Sequence, residues 1–215
     1  MTSDPKSQRP ARPLAAPTWL RPHGSLWTVQ SRERVLDNPW FAVDAYAATA
    51  PTGVSSPYYV MAKKALAVGV IPLHEDGTVS LVGQWRFPFG TYSWEIPEGG
   101  VPVGEDALEG AKRELSEEVR LQATDWREIV RLHLSNASSD ERCIGYLATG
   151  LSRCERHAAD DTEELAVERV PFREALQAAV TGQIEDAITV AMLLRLHHMA
   201  VTGELHPALA RAVLE

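Results

Sequence analysis

The chain has 215 residues, with 21 lysines and arginines against 29 aspartates and glutamates, and 45% of its residues are hydrophobic. This length fits one large domain, or a domain with a small accessory one, and the 23% of charged residues excludes disordered and fibrous classes. The net charge of −8 argues against a protein that binds nucleic acid through a basic surface, so no nucleic-acid partner is expected.

The composition also predicts a cytoplasmic protein without a membrane partner. Cys143 and Cys154 are too few for a disulfide framework, and the longest apolar stretch, residues 65–73, is too short to span a bilayer. Residues 1–24 are rich in proline and have no continuous apolar core. They are predicted to form a flexible tail, not a signal peptide.

Residues 25–64 are predicted to form a small antiparallel β-sheet, separate from a larger domain over residues 65–215. The strand-like runs SLWTVQ, RVLD, WFAVDAYA and YYVMA are separated by turn signals at residues 38–39 and 51–53.

The larger domain begins with ALAVGVIPL and TVSLVGQW, joined by an Asp-Gly hairpin signal, and continues with YSWEI, which ends at a turn over residues 97–100. Apolar residues at steps of three and four predict a helix over residues 105–119. The runs WREIVRLHL, CIGYLATGL and LAVERVPF predict strands, followed by helices at 172–180 and 186–199 and a short apolar tail. This order predicts an α+β fold with a mixed sheet.

The predicted helix over residues 105–119 has an acidic face. Glu114 and Glu118 lie one turn apart, with Glu117 beside them, so their charges repel unless a cation is bound. Oxygen ligands on adjacent turns suit Mg²⁺ or Mn²⁺. The alternative is a solvated acidic face balanced by Lys112 and Arg113.

The residues around these glutamates form a longer pattern at fixed spacing, which favours the metal site over a solvated acidic face. Six residue identities at set spacings would occur by chance with a probability on the order of 10⁻⁷ per window. The segment from Gly99 to Leu121 resembles the box of the Nudix hydrolases. The resemblance implies an α/β/α sandwich with a mixed sheet, Mg²⁺ (or Mn²⁺) as cofactor, and cleavage of a nucleoside diphosphate linked to another moiety.

The resemblance also implies roles for individual residues. The principal metal ligands would be Glu114 and Glu118, and the backbone carbonyl of Glu98 would add another ligand. Glu117 would orient a ligand or a metal-bound water as a catalytic residue. The structural residues of the motif would be Gly99, Glu105 and Arg113.

Two positions depart from the family pattern. Arg120 stands where the family has a glycine, a residue that permits a left-handed helix end, so the turn after the helix is in question. Asn136 stands where ADP-ribose pyrophosphatases commonly have a proline. The substrate therefore stays open between ADP-ribose, another ADP-sugar and GDP-mannose.

The flanking sequence narrows the branch. VGQWRFPFGTYSWEIPEGG is similar to the stretch that precedes the box in ADP-ribose pyrophosphatases and related nucleotide-sugar hydrolases. NPWFAV, APTG and YYVMAKK resemble the N-terminal sheet of that branch, which contributes to a homodimer. The branch implies hydrolysis of a small-molecule nucleotide sugar to a nucleoside monophosphate and a sugar phosphate.

Three residues are candidates for substrate binding. Trp40 and Tyr58 match places where that branch stacks a purine, but structural aromatic residues are an equal alternative. Arg86 suits bidentate recognition of a phosphate or a terminal ribose, and its alternative is a surface ion pair.

The catalytic base is expected in the acidic loop HAADDTEEL. Asp161, Glu163 and Glu164 are the candidates, and Glu163 is also a candidate metal ligand. A solvated loop is the alternative, and His157 is another candidate base.

Two other functions are weighed against this hydrolase. One is a Nudix-fold ligand- or RNA-binding module without catalysis, and the other is a hydrolase of dinucleoside polyphosphates or capped RNA. The complete set of box glutamates favours catalysis, and a cap-binding enzyme would need more basic residues near its site.

Overall fold

The computed structural model describes residues 17–21, 23–24, 26–154 and 164–215. The strands of these residues are β1 (Thr28–Asp37), β2 (Phe41–Thr49), β3 (Ser55–Lys63), β4 (Ala65–Pro72), β5 (Thr78–Arg86), β6 (Thr91–Glu95), β7 (Glu98–Pro102), β8 (Leu121–His133), β9 (Arg142–Arg153) and β10 (Ala166–Pro171). The helices are α1 (Ala107–Val119), α2 (Phe172–Val180), α3 (Ala187–Val201) and α4 (Pro207–Leu214).

The strands form three sheets. The N-terminal sheet has the order β1-β2-β3, and a second, antiparallel sheet has the order β10-β5-β6. The third has the order β7-β4-β9-β8 and is mixed, because β4 runs parallel to β9 while the other neighbours pair antiparallel. The predicted α+β class, with an antiparallel N-terminal sheet and a mixed sheet, is confirmed.

Strand β4 separates two hydrophobic cores, because successive side chains of a strand point to opposite faces. Val68 and Val70 pack with Leu115 of α1 on one face. Ile71 and Leu73 pack on the other face with residues of α2, α3 and α4. Helices therefore cover both faces of the mixed sheet, which is the predicted α/β/α sandwich.

Two glycines allow α3 to approach the sheet closely. Gly69 of β4 and Gly145 of β9 are register partners. A Cβ at Gly69 would come within 3.1 Å of the Met192 sulfur in α3, and a Cβ at Gly145 would come within 2.6 Å of the same atom. At the start of α3, the hydroxyl of Thr189 accepts a hydrogen bond from the Ile96 amide at 3.0 Å. The first turn of α3 is thereby fixed beside the chain that joins β6 to β7.

The structure differs from the predicted elements in two places. Residues 97–100 were expected to end a strand at a turn, but Glu98–Pro102 forms strand β7, which pairs with β4. The tail after Pro207 is helix α4, with proline at its first turn, where its missing N–H costs no hydrogen bond.

The described chain divides into two compact units. The first comprises the described residues up to 32 together with residues 46–58, and the second comprises residues 33–45 and 59–215. The division into segments at residues 24 and 64 stays a prediction. Among the described residues, no helix is long and apolar enough to cross a membrane.

Candidate active site

Helix α1 brings the box glutamates to the surface of β7. Asp106 caps its start, and its carboxylate accepts hydrogen bonds from the Leu108 and Glu109 amides at 2.9 and 3.2 Å. The helix lies so close to β7 that a Cβ at Gly99 would come within 2.3 Å of the Glu114 carboxylate. Glycine at residue 99 is therefore required for Glu114 to occupy its place.

Arg113 of α1 contacts three glutamates of the motif and the backbone of β7. Its guanidinium lies 2.8 Å from the Glu114 carboxylate, 3.0 Å from that of Glu117 and 3.7 Å from that of Glu105. It also donates a hydrogen bond to the Gly100 carbonyl at 2.9 Å. The structure therefore brings these residues of the motif together around the guanidinium of Arg113.

Glu98 and Glu118 lie next to each other. The Glu118 carboxylate accepts a hydrogen bond from the Glu98 amide at 3.1 Å, and Glu114 and Glu118 are each only 8% exposed. The Oε2 atom of Glu98 is buried without a hydrogen-bond partner. Burial, reinforced by the charges of Asp186 and Glu95, raises the pKa of Glu98 well above its usual range.

Arg86 forms a partly buried ion pair with Glu95, a residue of β6 that is 2% exposed. Its Nε donates to the two carboxylate oxygens of Glu95 at 2.9 and 3.1 Å, and its Nη2 donates to the same group. These hydrogen bonds raise the pKa of Arg86 above its ordinary value. Arg86 also lies 3.3 Å from Glu98, so it is part of the site, and its role as a substrate contact stays a prediction.

The remaining predicted residues belong to the N-terminal segment and to the acidic loop. Trp40 is in the turn between β1 and β2 and is 75% exposed. Tyr58 of β3 packs edge-on against Trp27, with ring centroids 5.5 Å apart. Glu164 is exposed just before β10, whereas the other loop candidates, His157, Asp161 and Glu163, lie outside the described residues.

Sequence reasoning missed two acidic residues at the site, Glu95 and Asp186. Asp186 caps α3 and accepts a hydrogen bond from the Thr189 amide at 2.7 Å. The signal for Asp186 was the Asp-x-x-Thr spacing at the start of an apolar helix. Glu95 could have been found from its place inside the apolar run YSWEI, because a charged residue that is buried there requires a partner.

The oxygen-rich residues at this site fit a divalent cation. Among the described residues, no three acidic, histidine or cysteine side chains are grouped as ready metal ligands. Arg113 forms an ion pair with Glu114, and Arg86 forms an ion pair with Glu98. The orphaned, buried oxygen of Glu98 and the hard oxygen donors around it are what Mg²⁺ or Mn²⁺ requires. Nudix hydrolases in general need a divalent metal ion.

Comparison with known proteins identifies the family. The model of the NUDIX domain family matches residues 63–190. An ADP-ribose pyrophosphatase from Mycobacterium tuberculosis is 36% identical over 143 residues, which are 66% of this chain and 69% of that protein. An ADP-ribose pyrophosphatase from Bacillus subtilis is 31% identical over 140 residues, covering 65% of this chain and 75% of that protein.

The fold is also that of a solved structure, an ADP compounds hydrolase. The TM-score is 0.75 at 21% identity, and the match covers 86% of this chain and 100% of the other. With a family model that matches more than half of its length and two relatives above 30% identity, the chain belongs to the Nudix family, as a pyrophosphohydrolase of the ADP-ribose pyrophosphatase branch.

Proposed function

We propose that this protein hydrolyses the pyrophosphate bond of a nucleoside diphosphate sugar, with ADP-ribose as the first candidate and Mg²⁺ as the cofactor. The observation that carries the proposal is the pair of buried carboxylates, Glu114 and Glu118, one helical turn apart beside Gly99. Two carboxylates one helical turn apart repel each other, and a divalent cation bound by both would reverse that repulsion. The names of the two relatives favour ADP-ribose over other sugars.

The box residues would hold the ion and the diphosphate. Glu114, Glu118 and the Glu98 carbonyl would be ligands, and Arg113 would keep Glu114 and Glu117 aligned. The ion neutralises phosphate charge and lowers the pKa of a water when it is bound. Mn²⁺ satisfies the same oxygen ligands and is the alternative cofactor.

A carboxylate of the acidic loop would take the proton of the attacking water. Glu164 is exposed and precedes β10, and Asp161 and Glu163 stay candidates from sequence, the latter also as a metal ligand. A base placed outside α1 leaves the box carboxylates free to remain ionised as ligands.

Recognition of the base and sugar would use residues outside the box. The exposed indole of Trp40 offers a stacking surface, and Tyr58 is a second candidate. Arg86 would meet a phosphate or ribose oxygen with the part of its guanidinium that Glu95 does not use. We also propose a cytoplasmic homodimer formed through the N-terminal sheet.

The experiment is a substrate panel with Mg²⁺: ADP-ribose, ADP-glucose, GDP-mannose, NADH and a diadenosine polyphosphate, with products resolved by chromatography. We expect a nucleoside monophosphate and a sugar phosphate from at least one nucleotide sugar. Turnover of the polyphosphate alone would contradict the assigned substrate class, and no turnover at all would favour a binding module.

A further inference from the structure

The short link between β6 and β7 is held by hydrogen bonds from three different elements. The Ile96 amide donates to the hydroxyl of Thr189 in α3 at 3.0 Å, and the Pro97 carbonyl accepts from an amide of β4 at 2.8 Å. The next amide, that of Glu98, donates to the Glu118 carboxylate of α1 at 3.1 Å. Three successive residues of the backbone are therefore anchored to α3, β4 and α1 in turn.

These hydrogen bonds determine which way the backbone of Glu98 faces. Strand β7 lies at the edge of the mixed sheet and pairs with β4 on one side. The amide and carbonyl of a strand residue point to the same side, and those of its neighbour point to the opposite side. Since the Pro97 carbonyl points to β4, the Glu98 amide and carbonyl both point to the free edge, where Glu118 lies. The carbonyl that is proposed above as a metal ligand is thus placed by the link that precedes it.

Thr189 is itself fixed at the start of α3. The residue is fully buried, and its amide donates to the Asp186 carboxylate at 2.7 Å, so the hydroxyl stands on a capped first turn. Helix α3 packs on the face of the mixed sheet opposite α1 and lies outside the box. One hydroxyl of α3 therefore reaches the link from the side of the sheet that carries no box residue.

We propose that Thr189 is a positioning residue of the metal site, whose hydroxyl fixes the Ile96 amide and thereby the direction of the Glu98 backbone beside Glu118. This inference rests on the metal site proposed above. Ile96 is fully buried, so its amide would lack an acceptor without the hydroxyl, and the link would have to move to satisfy it. Glu98 follows Ile96 by two residues, and its amide and carbonyl would move with the link.

The first test compares Thr189→Val with Thr189→Ser in the protein without metal. Valine keeps the shape of threonine and removes the hydroxyl, whereas serine keeps the hydroxyl and loses only the methyl group. Amide hydrogen exchange is followed by NMR, with the Leu147 amide of the buried strand β9 as internal reference. Relative to Leu147, we expect the Glu98 amide to exchange roughly fivefold faster or more in Thr189→Val, and at the wild-type rate in Thr189→Ser.

Metal affinity provides a second readout that needs no turnover. Mn²⁺ alone is titrated into each protein, and free Mn²⁺ is followed by its electron paramagnetic resonance signal. We expect a Kd weaker by roughly 10-fold in Thr189→Val, as for other residues that orient metal ligands. The Kd of Thr189→Ser should stay at the wild-type value.

The control is Leu196→Val, which shortens another fully buried side chain of α3, about two turns further along the helix. It should lower the urea midpoint and leave both the relative Glu98 exchange and the Kd unchanged. An unchanged Glu98 exchange or an unchanged Kd in Thr189→Val would overturn the proposal. Equal changes in Thr189→Val and Leu196→Val would also overturn it, because the effect would then be one of lost stability.

The two proposals can fail separately. Mg²⁺-dependent hydrolysis together with unchanged values in Thr189→Val would refute the positioning role and leave the function standing. A selective change in Thr189→Val, in a protein that hydrolyses no member of the panel, would refute the function and leave the positioning role standing.

Discussion

Arg120 ends helix α1 in the left-handed conformation, with φ 56° and ψ 38°. Its amide donates to the Leu115 carbonyl, and its carbonyl accepts from the Cys154 amide at 2.8 Å, so the turn that glycine makes in the family is kept. A residue with a Cβ in this conformation costs roughly 1–2 kcal/mol. The exposed arginine therefore carries strain that backbone hydrogen bonds offset.

We predict that Arg120→Gly raises the free energy of unfolding by about 1 kcal/mol, because the relief of strain exceeds the added entropy of the unfolded chain. Urea denaturation at neutral pH measures it. Arg153→Gly, an exposed residue of β9 with negative φ, is the control and should be destabilising. A fall in stability for Arg120→Gly would show that the arginine side chain contributes more than its strain costs.

Glu118 allows the metal assignment to be tested at one residue. We predict that Glu118→Gln lowers Mg²⁺-dependent kcat by roughly 100-fold or more, since even residues that only orient metal ligands are worth about 10- to 100-fold. Kinetics on ADP-ribose measure the loss, with Glu109→Gln as the charge-matched control. Full turnover by a folded Glu118→Gln would remove Glu118 from the metal site.

The box glutamates were predictable because their spacing along one helix determines which of them share a face. The partners of Arg86 were not predictable in the same way. Glu95 reaches Arg86 across a pair of neighbouring strands, and Asp186, whose charge acts on Arg86 and Glu98, lies 100 positions after Arg86 in the sequence. Such contacts depend on how elements pack, which a local pattern does not contain.

At the scale of elements, the link between α3 and α4 is held by Glu204. Its carboxylate receives two hydrogen bonds from Arg195 of α3, at 3.0 and 2.7 Å, and Arg127 of β8 contacts it at 3.3 Å. Arg195 also donates to the Ile129 carbonyl at 3.1 Å. This network connects the link to α3 and to strand β8, and the hydrogen bonds from Arg195 lower the pKa of Glu204 to about 2.

We predict that Glu204→Gln destabilises the fold by about 1 kcal/mol at pH 7, a value discounted for partial solvent exposure. A lowered pKa means that the folded state favours the charged carboxylate. The stability difference should therefore be complete above the ordinary glutamate value of 4.5 and disappear as pH falls towards 2.

Thermal unfolding of both proteins between pH 7 and pH 3 measures this difference. A constant difference over that range would contradict the assigned ion pairs. Activity of the variant at pH 7 should be unchanged, because Glu204 belongs to neither the box nor the substrate candidates.

The long amphipathic elements were predictable from periodicity, and the observed bounds of α2 agree with its pattern. Short elements that begin at or beside proline and glycine were not predictable in this way. Pro207 suggested an apolar tail but starts α4, and Pro97 with two glycines suggested a turn where β7 pairs with β4. Proline and glycine limit the backbone locally, and the partner strand or helix decides the outcome.

At the scale of the whole molecule, the two sides of the mixed sheet have different tasks. The core of α2, α3 and α4 stabilises one face, while α1 places buried carboxylates over β7 on the other. Acidic side chains are thus gathered at Glu95, Glu98, Glu114 and Glu118, where Arg86 pairs with Glu95 and Glu98 and Arg113 pairs with Glu114.

Hydrolysis of ADP-ribose by the wild-type protein, with and without divalent cation, tests the proposed metal-dependent activity. We predict AMP and ribose 5-phosphate as products in Mg²⁺, loss of turnover in EDTA, and recovery when Mg²⁺ is restored. The same products at an undiminished rate in EDTA, or no products from any nucleotide sugar in Mg²⁺, would contradict the proposed metal-dependent pyrophosphohydrolase.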